Sequence, residues 1–212
     1  MGTLSDMSPL LEIHIQSLLR DDPVTTPLLD ENRRNFPQIK VIKSCNGYDK
    51  EETIREFKSL GINFKKTQPG FETYGAVACT TTKIKDLLYQ IENKVPYMVM
   101  IEDDMWLGPD FVSFVEKQLP LFKEHSELNL IRLHRWSEGI ITSTEGARRI
   151  VDRIRRIGMI TQIDNQFEWY SGPIRKAIPG SKVFKRMRKP NEGDNLGTPP
   201  LDDYFYSRCR NK

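Results

Sequence analysis

Three cysteines in 212 residues, Cys45, Cys79 and Cys209, are too few and too widely spaced to frame a disulfide-stapled domain or a thiolate zinc site. A reducing, cytosol-like compartment is the expectation. No apolar run approaches the roughly 18 residues of a membrane span, and residues 1–6 lack the basic start and apolar core of a signal peptide. A chain with no transmembrane segment, not secreted by itself, is expected. Neither sign of charge dominates: 32 Lys and Arg stand against 29 Asp and Glu, a net charge of +3. A field that weak does not announce a nucleic-acid partner, and none is expected. The excess of positive charge gathers late, in Arg148, Arg149, Arg153, Arg155 and Arg156 and then Lys182, Lys185, Arg186, Arg188 and Lys189. Such a surface could meet nucleotide phosphates, an anionic acceptor or an acidic membrane face; most of these residues read as a solvated helix face and a basic loop. No clear linker divides the chain, and its length suits one well-buried α/β domain over residues 1–212.

What is present is one long apolar run that ends in acid. Pro96, Tyr97, Met98, Val99, Met100 and Ile101 lead straight into Glu102, Asp103 and Asp104. Apolar side chains on both faces mark a central strand covered by helices. In open α/β sheets ligands collect outside the carboxyl ends of strands, which is where these carboxylates fall. Three adjacent like charges repel, and a hard divalent cation, Mn²⁺ or Mg²⁺, relieves that repulsion by taking oxygen ligands. The plain alternative is a solvated loop whose acids favour the start of a following helix.

Around this strand the pattern alternates. Strands are expected at 12–19, 39–44, 62–64, 97–101, 128–133 and 140–143, and helices at 26–35, 50–60, 76–92, 110–119 and 144–157, with Gly61 as a helix C-cap and Thr144 as an N-cap. Pro69 and Gly70 mark a loop. Strand and helix in alternation argue a largely parallel sheet with helices on both faces. Beyond Pro173 the pattern dissolves into Pro, Gly and basic residues, the composition of a mobile lid or a disordered tail.

Four blocks then carry a resemblance: Gly75 through Cys79 to Ile84, Pro96–Tyr97, Ile101 with Glu102–Asp103–Asp104, and Ile141 through Ala147 followed by Ile163–Asp164. Their order and spacing resemble the glycosyltransferase family that includes bacterial lipopolysaccharide sugar transferases, family 25. The resemblance covers about the middle half of the chain. It implies a GT-A type fold, a single α/β/α sandwich with a mostly parallel mixed sheet. The nucleotide-binding half would span about 1–105 and the acceptor half about 106–212, alone or within a longer multidomain protein. It also implies a nucleotide-sugar donor, UDP-sugar by common usage, a glycan acceptor, and an acidic motif that holds Mn²⁺ or Mg²⁺ against the donor diphosphate. Asp104 would contact the metal, Glu102 would be a second or water-mediated ligand, and Asp103 would lie near the donor ribose or sugar. Where bacterial members carry Ser-His, this chain has Thr82–Lys83, so that histidine's role does not carry over.

The remaining candidates follow from what sugar transfer requires. An inverting transferase needs a base for the acceptor hydroxyl. Asp164, which matches the family's Asp in its block, is that candidate; on local chemistry it reads equally as an N-cap for a helix at 165–170. Donor contacts are expected at the ends of the first two strands, from Ser17, Leu19, Arg20, Asn46 and Gly47, with Tyr74 and Gly75 closing over them. Ordinary turn chemistry is the alternative for each. Lys83 either faces the diphosphate or lies exposed on its helix. His134, Arg135, Trp136 and Trp169 are acceptor candidates, since aromatic faces stack on sugars and Arg holds polar groups; rim packing is the alternative. Two rivals remain: a metal-dependent phosphatase or nucleotide hydrolase using the same carboxylates, and a non-enzymatic nucleotide- or RNA-binding module using the basic tail.

Overall fold

The structure is a computed structural model, described here for residues 10–65, 73–159, 162–187 and 198–209. Its centre is a six-stranded sheet. In chain order the elements are β1 (Leu11–Ser17), α1 (Thr25–Asn35), β2 (Lys40–Lys43), α2 (Lys50–Ser59), α3 (Tyr74–Glu92), β3 (Tyr97–Glu102), β4 (Met105–Leu107), α4 (Phe111–Glu116), α5 (Leu121–Glu124), β5 (Leu130–Arg132), β6 (Gly139–Ser143), α6 (Thr144–Ile157), α7 (Ile163–Tyr170), β7 (Ile174–Lys176), β8 (Phe184–Arg186) and α8 (Asp203–Cys209). The sheet order is β2-β1-β3-β6-β5-β7, and β4 and β8 form a separate ribbon. The expected α/β/α sandwich with a mostly parallel mixed sheet is the architecture formed.

The apolar run of β3 explains the layering. Met98 and Met100 belong to one hydrophobic cluster, together with α2, α3 and α6; Val99 and Ile101 belong to a second, with Ile13, Ile15, Phe111 and Val115. Consecutive strand residues point to opposite faces, so a run that is apolar throughout needs cover on both.

Five strands run in one direction and β6 opposes them, antiparallel to both β3 and β5. The cause is connection length. Only 133–138 separate β5 from β6, and a parallel neighbour needs a crossover of a dozen or more residues. The expected strand at 62–64 reduces to a single bridge between Phe64 and Met159. The expected helix at 110–119 divides into α4 and the turn leading to α5. Ser143 rather than Thr144 caps α6, its Oγ accepting from Gly146 N at 3.0 Å, while the Thr144 hydroxyl donates to the Val95 carbonyl. The stretch beyond Pro173 contains β7, β8 and α8, contrary to the unpatterned reading, because their partners lie far away in sequence. Pro69, Gly70, Arg188 and Lys189 lie outside the described residues.

The described segment 198–209 is fastened over the start of α3. Tyr74 N donates to the Pro199 carbonyl, and the Tyr74 hydroxyl donates to Asp202 Oδ1 at 2.7 Å. Phe205 packs edge-on against Phe64 and Tyr74. Among the described residues no helix is long and apolar enough to cross a membrane.

Candidate functional site

A cavity of about 370 Å³ opens at the carboxyl ends of β1, β2 and β3. Its floor is acidic: Glu102, Asp103, Asp104, Glu138 and Asp164 all line it. Glu102 is the last residue of β3, so strand geometry delivers it to the sheet edge, with Asp103 and Asp104 in the tight turn into β4. One wall is a stripe of α3, Gly75, Ala78, Cys79 and Thr82, at the spacing that puts residues on one helical face. Trp136, Gln162 and Arg186 line the cavity as well, together with Leu18, Tyr48 and Thr198.

The carboxylates carry cations of their own. Lys83 is fully buried, and its Nζ donates to Glu102 Oε1 at 2.8 Å and to the Ser137 carbonyl at 3.0 Å. Arg186 Nε donates to Asp104 Oδ2 at 2.8 Å and its Nη1 to Glu138 Oε1 at 3.2 Å. Burial pushes the Glu102 carboxyl above its ordinary range; Lys83 opposes that shift, while Asp104, Glu138 and Asp164 reinforce it. Burial also acts against the Lys83 ammonium, but Glu102 and the surrounding negative groups outweigh it and hold the lysine charged. Glu138 is likewise raised by burial, yet its bond with His134, at 2.9 Å from Nδ1, and the nearby Arg186 hold it below the ordinary range. That bond in turn raises His134.

Asp164 stands in the first turn of α7 and does not cap it; the residue before the helix is Gln162. Its Oδ1 accepts from the Ser137 amide at 2.9 Å, which ties α7 to the loop carrying Trp136 and Glu138. Of the two readings open from sequence, the capping one does not describe this carboxylate.

The other expected residues divide. Gly47, Gly75 and Trp136 line the cavity with the acidic triplet and Asp164. A Cβ on Gly47 would lie 2.4 Å from Gly75 Cα, so the turn after β2 and the first turn of α3 meet backbone to backbone at the cavity edge. Asn46 shapes that turn, its side chain accepting from Tyr48 N, and does not line the cavity. Lys83 lies behind the carboxylates and off the cavity wall, so neither the diphosphate-facing nor the exposed reading holds. Tyr74 is a correction too: it is fully buried and its hydroxyl is held by Asp202. Ser17 is buried, its Oγ accepting from Leu19 N; Leu19 is exposed with φ of 55°, and Arg20 stacks over Tyr48 at 5.2 Å. Neighbouring Leu18 lines the cavity in their place. His134 buttresses Glu138, Arg135 stacks over the Trp136 ring at 5.3 Å, and Trp169 is exposed away from the cavity lining.

Sequence reasoning missed Glu138, Tyr48, Cys79 and the site role of Arg186. Glu138 had a usable signal, a carboxylate just before an apolar strand. Arg186 belonged to a basic run that could meet phosphates, and nothing in the sequence singled it out from its neighbours.

The donor set suits a hard divalent cation in one respect: the oxygens of five carboxylates line one cavity. Among the described residues no group of three or more His, Cys, Asp or Glu side chains is already arranged to hold a metal. Carboxylate oxygens are the ligand type that a hard divalent cation takes.

Fold and cavity together define an α/β protein with a carboxylate-rich site at its strand ends. No protein-family profile and no curated protein matches the chain. Among solved structures it is similar to the crystal structure of a glycosyltransferase involved in the glycosylation of the major capsid of PBCV-1, at 10% sequence identity and a TM-score of 0.43, over 85% of this chain and 95% of that one.

Proposed function

We propose that this chain is a GT-A type glycosyltransferase that moves a hexose or deoxyhexose from a UDP-sugar to a glycan acceptor, with inversion at the anomeric carbon. One observation carries the reading. Glu102, Asp103 and Asp104 share a single cavity with Asp164, a carboxylate on another element and free of any capping duty. The four-block resemblance to family 25 supports the same assignment.

The residues divide the work as follows. Glu102 and Asp104 would hold Mn²⁺ or Mg²⁺, which neutralises charge on the departing diphosphate when bound. Gly47 and Gly75 bring the turn after β2 and the first turn of α3 together at the cavity edge, where the donor would lie, and Asp103 would meet the ribose or sugar. Trp136, 43% exposed at the cavity, offers a face for the acceptor ring. Asp164 takes the proton from the acceptor hydroxyl as that oxygen bonds to the anomeric carbon and the bond to the diphosphate breaks. Its bond from Ser137 N holds the carboxylate in place while a second oxygen is left for the acceptor. Glu138 suits that task less well, being engaged by His134. A viral capsid glycan, reached in the host cytoplasm, is one acceptor of the expected kind.

A phosphatase would need a nucleophilic Asp at the end of β1. Gln16, Ser17 and Leu18 stand there instead, and Asp22 is spent on the start of α1, accepting from Val24 N and Thr25 N at 2.9 Å each. The test is calorimetric titration of UDP, UDP-glucose and GDP-mannose with Mn²⁺ or with EDTA, for the wild type, Asp104→Ala and Asp164→Asn. Metal-dependent binding selective for uridine nucleotides, lost in Asp104→Ala and kept in Asp164→Asn, is expected. No nucleotide binding with metal present sinks the proposal. Steep salt dependence with indifference to Asp104→Ala favours the nucleic-acid module instead.

A further inference from the structure

We propose that Arg186 is the cavity's own diphosphate-binding cation: it holds Asp104 and Glu138, and releases Asp104 to the metal as its guanidinium moves onto the donor's phosphate oxygens. The inference rests on the donor-site reading above.

The backbone beneath Arg186 is fixed. β8 pairs antiparallel with β4, with Arg186 opposite Met105, and Met187 N donates to the Asp104 carbonyl at 2.8 Å. Phe184, two residues earlier, stacks on Phe111 at 5.5 Å between ring centroids. It also fills the space over Gly139, where a Cβ would come within 2.6 Å of the ring. A pinned strand thus carries a long side chain to the cavity edge, 21% exposed. Nη2 makes no hydrogen bond among the described residues, while Nε and Nη1 are held by carboxylates.

Charge then assigns the role. Among the described residues that line the cavity, Arg186 is the one Lys or Arg beside five carboxylates. Lys83 does not compete for the position, because its ammonium lies behind the wall on Glu102 and the Ser137 carbonyl. A diphosphate entering here meets a repelling floor unless a metal and Arg186 both turn toward it. The planar fork of a guanidinium grips two phosphate oxygens at once, which an ammonium cannot do. A cation bound at Asp104 repels the guanidinium that holds the same carboxylate, so metal and Arg186 exclude each other there until phosphate gives the arginine a new partner.

That exclusion predicts changes of opposite sign. Bare Mn²⁺ binding is read by electron paramagnetic resonance and UDP binding in saturating Mn²⁺ by calorimetry, for the wild type, Arg186→Gln and Arg186→Lys. In Arg186→Gln, Mn²⁺ alone should bind about threefold tighter or more, since its competitor is gone. UDP should bind about tenfold to hundredfold weaker, the loss of a charge-assisted pair. Arg186→Lys keeps the charge near Asp104 and Glu138 and so guards against a folding failure; it should lose the fork's share, about threefold to tenfold in UDP affinity, with an unchanged thermal melt. If the wild type binds both ligands while Arg186→Gln weakens both or alters neither, or Arg186→Lys matches the wild type for UDP, the role of Arg186 is refuted and the donor site stands. If the wild type binds no nucleotide with Mn²⁺, the donor site itself falls.

Discussion

Exchange of Lys83 for Met removes the cation behind the acidic strand end and keeps an apolar stem of similar length. The wild-type ammonium is fully buried and donates to Glu102 Oε1 and to the Ser137 carbonyl. Breaking a buried ion pair from one side costs roughly 3–5 kcal/mol, because the other charge is left uncompensated. The Glu102 side chain is 30% open to the cavity, so water recovers part of that penalty. A net loss of about 3 kcal/mol lowers the melting temperature of a domain this size by about 6–12 °C. The pH dependence follows from the same pair. The Glu102 carboxyl titrates above its ordinary value of 4.5 in the folded protein, so it supports the fold below that value and its support fades as pH rises through the folded one. Lys83 is raised as well, and its contribution is present at every pH below the ordinary lysine value of 10.5. Without Lys83 the glutamate shifts further upward, and proton uptake relieves the variant in acid. Circular-dichroism melts in EDTA should therefore show a larger deficit at pH 8 than at pH 5.5. Adding Glu102→Gln should restore most of the loss. A variant within about 1 °C of the wild type at pH 8, or a deficit that grows toward acid, would refute the account.

A methyl group on Gly47 would collide with Gly75 Cα; Gly47→Ala should cost about 1–3 kcal/mol in urea denaturation and weaken UDP binding, and an unchanged midpoint would show that the two backbones can part. Asp202 is pulled down to about 2 by Lys50 and Tyr74, so its hold on α8 is present above its ordinary value of 3.8 and is lost as pH falls toward the folded one. Hydrogen-exchange protection of α8 should drop across that window in the wild type and stay flat in Asp202→Asn; identical profiles would remove Asp202 from the latch. Burial pushes the Cys45 thiol up to about 12, so its modification by a disulfide reagent at pH 8 should wait for unfolding; rapid labelling of the native protein at Cys45 would contradict its burial.

The elements legible in the sequence were those whose own residues determine them. β3 announced itself through an unbroken apolar run, and α6, expected at 144–157, through the repeat of strand then helix. The acidic site was legible because the strand end and the carboxylates are contiguous. The reversal of β6 was not, since direction depends on the length of the preceding loop and not on the strand's composition. β7 and β8 are three residues each and take their structure from β5 and β4, far from them in sequence.

The polar interior escaped for a deeper reason. α3 reads as a helix with one apolar stripe, but it is buried on almost every side, packed among α2, α6, α7 and β3. Periodicity then assigns Lys83 and Asp86 to solvent that is not there. A helix enclosed in this way must bring partners for whatever charge it carries, because unpaired ions do not survive in such surroundings. β1 supplies them: Ile13 and Ile15 face one cluster, while His14 and Gln16 turn toward α3. Asp86 takes both, His14 at 3.2 Å and Gln16 at 2.6 Å, leaving Lys83 for Glu102 at the strand end. The charge of the site is thus set by pairs some 20 to 70 residues apart in the chain, which no local pattern in either member could disclose. The same logic separates Lys83 from Arg186. One cation is locked behind the carboxylates by burial on every side, while the other, carried on a short ribbon at the cavity edge, can exchange a carboxylate for a phosphate.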